Sequence, residues 1–181
     1  VGDHRSFLTT SDLGAGLILN LDKKGELGYV GANIWNGTEY TDVVEENNCK
    51  DISGFVYLRP LSNNTDFRRT AIQGQAYIGT QNVTIETDED ASDFDRTLVS
   101  FGGLLAYRNT FDLGADVNLY SQGQGPGIDD VKETGYSFFV TIYLEDVAGD
   151  ESPLRTLNLF GRMDMYDPNT DVDDNGETLI I

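Results

Sequence analysis

The sequence predicts an all-β fold, an up-and-down meander of antiparallel strands, from three observations. Apolar and polar residues alternate with a period of two in one segment after another, and this period sends successive side chains to opposite faces of a strand. Short and long connections alternate between these segments along the chain. No apolar run in the sequence approaches the roughly 20 residues that a membrane-spanning helix needs, which leaves strands as the repeating element.

Four strands are predicted before the centre of the chain, at 11–22, 26–35, 50–60 and 67–79. A turn that contains Gly25 separates the first two, because glycine adopts positive φ without steric cost. Pro60 ends the third strand, since proline lacks the N–H that a ladder requires. In the fourth strand Gln73 and Gln75 alternate with apolar residues such as Ile72.

The clearest pair of strands is predicted between 96 and 122. In its second arm the apolar residues are Phe111, Leu113, Ala115, Val117 and Leu119. The residues between them are Asp112, Gly114, Asp116, Asn118 and Tyr120. Only Asn109 and Thr110 join the two arms, so an antiparallel hairpin is expected. A strand of about 11 residues rises roughly 36 Å and, tilted by about 40°, spans roughly 27 Å, the apolar height of an outer membrane.

Three more strands are predicted at 133–146, 154–166 and 178–181. The seventh strand alternates through Phe138, Val140 and Ile142, and the eighth places Arg162 and Asp164 together on its polar side. Tyrosine, tryptophan and phenylalanine occur near many strand ends, which is typical of the aromatic girdles at a membrane interface. Strands in general also favour these residues. The residues concerned are Tyr29, Trp35, Tyr57, Tyr77, Tyr107, Phe111, Tyr120, Tyr136 and Tyr166.

The lengths of the connections indicate which end of the sheet each one occupies. The short connections are at 23–25, 61–66, 109–110 and 147–153, and the long ones are at 36–49, 80–95, 123–132 and 167–177. An up-and-down sheet would collect all the long loops at one end, as outer-membrane barrels do. More than half of the 31 acidic residues lie in or next to these long loops, so negative charge would collect at that end.

Composition excludes several classes of function. The net charge of −19 argues against nucleic acid and against attraction to anionic lipid surfaces, which both require basic patches. Cys49 and His4 are the only residues of their types, so a catalytic triad or a multi-histidine metal site is not expected. We expect that the protein is not an enzyme. Val1 opens into polar sequence, so a signal peptide is expected to have been cleaved, or the chain begins inside a longer protein.

Two segments resemble the bacterial outer-membrane porins, especially the phosphate-selective type. Asp12-Leu-Gly-Ala-Gly, a hairpin and then Trp35-Asn-Gly-Thr-Glu-Tyr are similar to the strand-and-loop pattern of these porins. Leu159-Phe-Gly-Arg-Met-Asp-Met-Tyr-Asp-Pro-Asn resembles the Arg-x-Asp-x-Tyr-Asp-Pro-Asn strand end near their C-terminal part. The resemblance implies a transmembrane β-barrel in a bacterial outer membrane.

The chain also departs from that family. It ends in Leu179-Ile-Ile rather than in an aromatic residue, and its nine strand-like segments are fewer than the roughly sixteen of large porins. Residues 1–181 are therefore expected to form a single barrel domain or a fragment of a larger barrel. The lysine-rich lumen of a phosphate channel is missing from the sequence, so phosphate selectivity is not part of the expectation.

Candidate functional residues lie on the predicted polar face of the strands. We predict that the residues lining a pore include Arg162, Asp164, Asp112, Asp116, Asn118, Gln73 and Gln75. No cofactor is predicted, but the loop Asp171-Val-Asp173-Asp-Asn175-Gly fits the first half of a calcium loop, whose alternate oxygens would converge on a hard cation. A solvated acidic turn is the alternative interpretation of that loop.

Two functions from different classes remain at this stage. The first is passive diffusion of small polar solutes or ions through a barrel in contact with outer-membrane lipid, with homo-oligomers left open. The second is a soluble β-sandwich or jelly roll, extracellular or at the cell surface, that binds carbohydrate or a protein, with calcium as an option. In a barrel Leu113, Val117 and Phe138 would be exposed towards lipid, whereas in a sandwich a second sheet would bury them.

Overall fold

The structure is a computed structural model, and it describes residues 14–36, 49–86, 89–145, 148, 152–172 and 178–180. These residues form nine strands. The strands are β1 (Gly14–Asn20), β2 (Gly28–Trp35), β3 (Asp51–Leu58), β4 (Ala71–Thr80), β5 (Asp95–Tyr107), β6 (Phe111–Gln122), β7 (Val131–Tyr143), β8 (Asn158–Asp167) and β9 (Thr178–Ile180). Two short 3-10 helices, at Ala91–Phe94 and Pro153–Thr156, lie in the connections.

All nine strands belong to one sheet and pair in sequence order, each antiparallel to the next. The predicted meander is therefore confirmed, and the described residues contain neither a second sheet nor a Greek-key crossing. The sheet does not close on itself, because β1 and β9 each have only one neighbour. A sandwich or jelly roll would require two packed sheets, so that alternative fold is wrong for this part of the chain.

Strand boundaries differ from the predictions mainly on the short-connection side. β4 begins at Ala71 rather than at residue 67, because the Asn64 side chain accepts from the backbone N–H groups of Asp66 and Phe67 and folds this segment into turns. β8 begins at Asn158 rather than at 154 because Ser152 caps the Pro153–Thr156 helix. Asx turns and short caps of this kind compete locally with strand pairing.

The register places most of the aliphatic side chains of the strands on one face, here called the apolar face. Its members include Leu17, Leu19, Val30, Ile34, Ile52, Val56, Ile72, Ile78, Val99, Phe101, Leu113, Val117, Leu119, Phe138, Val140, Ile142, Leu159 and Met165. Most of these side chains are exposed; Ile78 is 60% exposed, Phe101 58% and Leu113 52%. No described segment covers this face.

The apolar face ends abruptly towards the long loops. Past Val99 in β5, Leu119 in β6, Tyr136 in β7 and Met165 in β8, the next one or two residues on this face are polar. They include Asp95, Ser121, Lys132 and Asp167. Along β6 the apolar residues run from Phe111 to Leu119. Nine residues rise about 30 Å and, tilted by about 40°, span about 23 Å, close to the roughly 25 Å apolar band of outer-membrane barrels.

The opposite side of the sheet, here called the polar face, is the more buried of the two. All five buried apolar side chains among the described residues lie on it: Ala71, Tyr77, Leu98, Ala106 and Tyr120. Tyr77, Leu98 and Tyr120 form a small cluster at the long-loop end, against which Trp35 and Tyr166 pack. Crowding of the polar face is the arrangement expected of the inner side of a curved sheet.

The proposed aromatic girdle is only partly supported by the register. Tyr107, Phe111 and Tyr136 lie on the apolar face. At its short-turn end the Tyr107 ring lies tilted against those of Phe67 and Phe111, with centroid distances of 5.2 and 5.7 Å. The prediction is wrong for the other six aromatics, which the register places on the polar face: Tyr29, Trp35, Tyr57, Tyr77, Tyr120 and Tyr166. Position near a strand end does not decide which face a side chain takes; whether its position along the strand is odd or even does.

No helix among the described residues is long and apolar enough to cross a membrane.

Candidate polar-face site

Among the described residues, the polar face carries several separate polar networks and one uncharged region. Cross-strand pairing arranges its side chains in rows that run perpendicular to the strands. One row passes from Tyr29 through Tyr57, Gln73, Gly102, Asp116 and Ser137 to Asp164. The next row passes from Phe55 through Gln75, Ser100 and Asn118 to Gly135. Every residue predicted to line a pore lies on this face, although being on the face does not by itself establish a pore.

A buried ion pair occupies the long-loop end of the polar face. Arg96 Nη2 donates to Asp51 Oδ2 at 2.9 Å, and the backbone N–H of Thr80 donates to Asp51 Oδ1 at 3.1 Å. The hydroxyl of Tyr77 also donates to Asp51, and the Arg96 guanidinium lies over the Tyr77 ring. The Asp51 side chain lies directly over Gly79, where a Cβ would collide with its carboxylate. This network joins β3, β4 and β5 where the long loops begin.

A second network closes the short-turn end. Arg69 donates to both carboxylate oxygens of Asp112, at 2.8 and 3.2 Å, and to the carbonyl oxygen of Arg108 at 2.6 Å. The Tyr143 hydroxyl donates to Asp112 at 2.7 Å, and Arg108, at φ 45°, pairs with Asp66. Asp112 is buried, and its charge is neutralised by Arg69. It therefore holds the turns together rather than presenting a free charge to solvent.

The middle of the polar face contains the remaining predicted residues. Arg162 Nε donates to Asp164 Oδ1 at 2.9 Å, and the Ser137 hydroxyl donates to the same oxygen. Arg162 and Asp164 therefore neutralise each other. Asp116 instead accepts from the amide of Asn118 at 3.0 Å, and the other amide atom of Asn118 accepts from Ser100.

Asp116 differs from the other predicted carboxylates because it has no basic partner among the described residues. Asp112 and Asp164 each contact an arginine within 3.0 Å. A carboxylate whose neighbours are neutral keeps its full charge available to a passing cation. In the middle of the polar face, Asp116 is therefore the group with the strongest claim to interact with a mobile ion.

The predicted calcium loop lies largely outside the described residues, including Asp173 and Asn175. Asp171 is described, and its carboxylate lies 3.5 Å from Lys132 Nζ. The described residues hold no group of three or more metal-ligating side chains. The calcium site stays a prediction.

Sequence reasoning missed the partners that fix these carboxylates. Arg96 and Asp51 are far apart in the chain, and Arg69 lies in a turn, so no local spacing indicates these pairs. The alternation of Asp51, Ser53, Phe55 and Tyr57 does place them on one face, which was the available signal. No sequence pattern gave the register between strands, and the register decides which residues lie opposite one another.

Comparison with known proteins gives no relatives. No family model matches the chain, and no curated protein or solved structure is significantly similar to it.

Proposed function

We propose that this chain forms part of a porin-like channel in a bacterial outer membrane, through which small polar solutes or ions diffuse. The polar face would be the wall of the water-filled lumen, and the apolar face would contact lipid. The proposal involves no cofactor and no catalytic step. Its membrane location and its partners, lipid and small solutes, rest on the same argument.

One observation carries this proposal: a broad sheet whose two faces differ in polarity, with the apolar face uncovered by any described segment. Burying an uncovered apolar face in hydrocarbon stabilises it by about 25 cal/mol per Å². The hydrogen-bond ladders between neighbouring strands satisfy the backbone N–H and C=O groups inside the sheet, as the bilayer interior requires. The band along β6 also has the right height, about 23 Å against roughly 25 Å.

The polar networks support the same assignment. Water-facing walls of a barrel tolerate ion pairs such as Arg162 with Asp164 and Arg69 with Asp112. The same pairs would be costly on a lipid-facing surface. The short-turn end also carries the neighbouring aromatics Phe67, Tyr107 and Phe111, residues suited to an interface that is apolar on one side and wet on the other.

The resemblance of the Leu159–Asn169 segment to porins agrees with this proposal. A soluble module that binds carbohydrate or a protein through its apolar face is the weaker candidate, because a face of this size would require an equally large covering surface. The described residues offer none, since all nine strands lie in one sheet.

Fractionation followed by bilayer recording tests the proposal. We expect the protein to sediment with outer membranes, to require detergent for extraction, and to produce stepwise ion conductance in a planar bilayer. Recovery of folded, monomeric protein from the soluble fraction without detergent would contradict it. A variant with Leu113 and Val117 both changed to Ser provides a control, because it should lose membrane assembly while leaving the polar face intact.

A further inference from the structure

An uncharged pocket on the polar face lies between β2 and β5. It has a volume of about 190 Å³ and is lined by Tyr29, Phe55, Tyr57, Gln73, Gln75 and Ser100, with Val56 and Gly74 completing it. Tyr29 and Tyr57 stack with centroids 5.2 Å apart, and Phe55 meets Tyr29 edge-on at 6.1 Å. Aromatic rings thus form one side of the pocket, and amide and hydroxyl groups form the other.

Gly31 makes room for this aromatic surface. The Phe55 ring lies across Gly31 on the neighbouring strand, so closely that a Cβ there would overlap the ring atoms. The ring therefore lies flat against the sheet, a packing that compensates for a glycine in a strand. Flat aromatic rings on a water-facing surface offer a broad apolar platform.

The polar groups of the pocket differ from the rest of the polar face in their hydrogen bonding. Elsewhere the carboxylates, arginines and amides bond to one another, as in the Asp51, Asp112 and Asp164 networks. The amides of Gln73 and Gln75 and the hydroxyls of Tyr29 and Tyr57 make no hydrogen bond with another described side chain or with the described backbone. Two amides supply four donor hydrogens and two acceptor oxygens to the pocket.

The chemistry of the pocket selects a class of solute. A charged solute finds no counter-charge among the lining residues, so it would lose hydration without compensation. A purely apolar solute would leave the amides unpaired. The quadrupole of an aromatic ring attracts the slightly positive hydrogens of C–H groups. A neutral solute that presents a C–H face to the rings and hydroxyl groups to the amides therefore matches both sides of the pocket. Sugars have this combination.

We propose that this pocket is a subsite for a neutral sugar ring on the wall of the channel, with Phe55 and Tyr57 as the aromatic surface and Gln73 and Gln75 as the hydrogen-bonding groups. The role in transport rests on the proposed function; the binding itself does not. The subsite adds to the wall a preference for neutral polyhydroxylated solutes, distinct from the interaction of cations with Asp116.

Calorimetric titration of the detergent-folded protein with maltose tests the binding. We expect saturable binding that the double variant Gln73→Leu/Gln75→Leu weakens by about tenfold or more, because each leucine removes neutral hydrogen bonds while keeping the side-chain size. Tyr57→Leu should weaken it to a similar degree. Gln122→Leu makes the same chemical change on the same face at the long-loop end, where Gln122 accepts from Tyr120, and should leave the affinity unchanged.

Bilayer recording of the same proteins separates the two proposals. Saturable block of the ion current by maltose, lost in the double variant with open conductance retained, supports both. Conductance without saturable maltose binding overturns the subsite and leaves the channel standing. Saturable maltose binding without conductance overturns the channel and leaves the subsite standing. Equal affinity of wild type and of both correctly folded pocket variants, judged by circular dichroism, also overturns the subsite.

Discussion

Asp51 connects β3, β4 and β5 at the long-loop end of the sheet. Its carboxylate accepts from Arg96, Tyr77 and the backbone of Thr80, and it fits only because Gly79 has no side chain. We predict that Gly79→Ala lowers the free energy of unfolding by about 1–3 kcal/mol, the cost of leaving buried polar groups without their partners. Urea titration of the detergent-folded protein measures this.

Gly103→Ala is the matched control for that substitution. It adds the same methyl group within a strand of the same sheet, but its Cβ would have no neighbour nearer than 3.9 Å. Because alanine also restricts the unfolded chain, we expect a small change in stability of either sign. Equal destabilisation by the two substitutions would show that the collision with Asp51 has no energetic weight.

Asp22 gives the turn between β1 and β2 a pH dependence. The backbone N–H groups of Leu27 and Lys24 donate to its carboxylate at 2.9 and 3.0 Å, and the bond from Leu27 is the main cause that lowers the pKa of Asp22 below its ordinary 3.8. Because the pKa of Asp22 is lower in the folded protein, its carboxylate stabilises the folded state, and this contribution is fully present above pH 3.8. The contribution is lost as the pH falls through the folded-state pKa.

We therefore predict that the stability difference between wild type and Asp22→Ala is largest near neutral pH and shrinks in acid. Unfolding titrations from about pH 2 to about pH 7 measure the difference at each pH. A gap that widens as the pH falls would mean that the carboxyl form, and not the carboxylate, holds this turn.

At the scale of one strand, β6 separates the two faces within neighbouring residues. Val117 lies on the apolar face and Asp116 on the polar face. Val117→Arg should cost roughly 2–4 kcal/mol at the bilayer midplane and reduce assembly in the outer membrane, whereas Asp116→Arg should assemble normally. Quantifying folded protein in isolated outer membranes checks this, and comparable assembly of the two variants would contradict the assignment of faces.

The strands differ in how well the sequence predicts them. β6 has the bounds predicted from its unbroken alternation, Phe111–Gln122, and its partner β5 differs by a residue at each end. The starts of β4 and β8 are displaced because Asn64 and Ser152 hold the chain in turns before them. Alternation reports which face a side chain takes, but a polar side chain that bonds to its own backbone ends a strand without disturbing the pattern.

At the scale of the molecule, the charge of the polar face is unevenly compensated. Asp51, Asp112 and Asp164 pair with arginines, whereas Asp116 bonds only to neutral groups among the described residues. We predict a preference for cations, because uncompensated carboxylates lower the barrier for positive ions. Reversal potentials in a salt gradient should show it, and Asp116→Asn should reduce it more than Asp112→Asn.

Anion preference in the wild type would contradict the assignment of these carboxylates to the wall of a pore. Equal effects of the two asparagine variants would show that ion pairing does not silence Asp112. The contrast between them is a structural result, since the sequence places Asp112 and Asp116 on the same face of the same strand. Only the register and the turn position of Arg69 distinguish the two carboxylates.

The central claim is that the apolar face of this sheet meets lipid and the polar face meets water. Spin labels at each position from Leu113 to Leu119, in a Cys49→Ser background and in reconstituted bilayers, test it most directly. We predict that oxygen, which partitions into lipid, relaxes the odd-numbered labels most, and that a water-soluble nickel chelate relaxes the even-numbered labels most. Odd-numbered labels protected from both reagents would contradict the claim, because a second protein layer would then cover the apolar face.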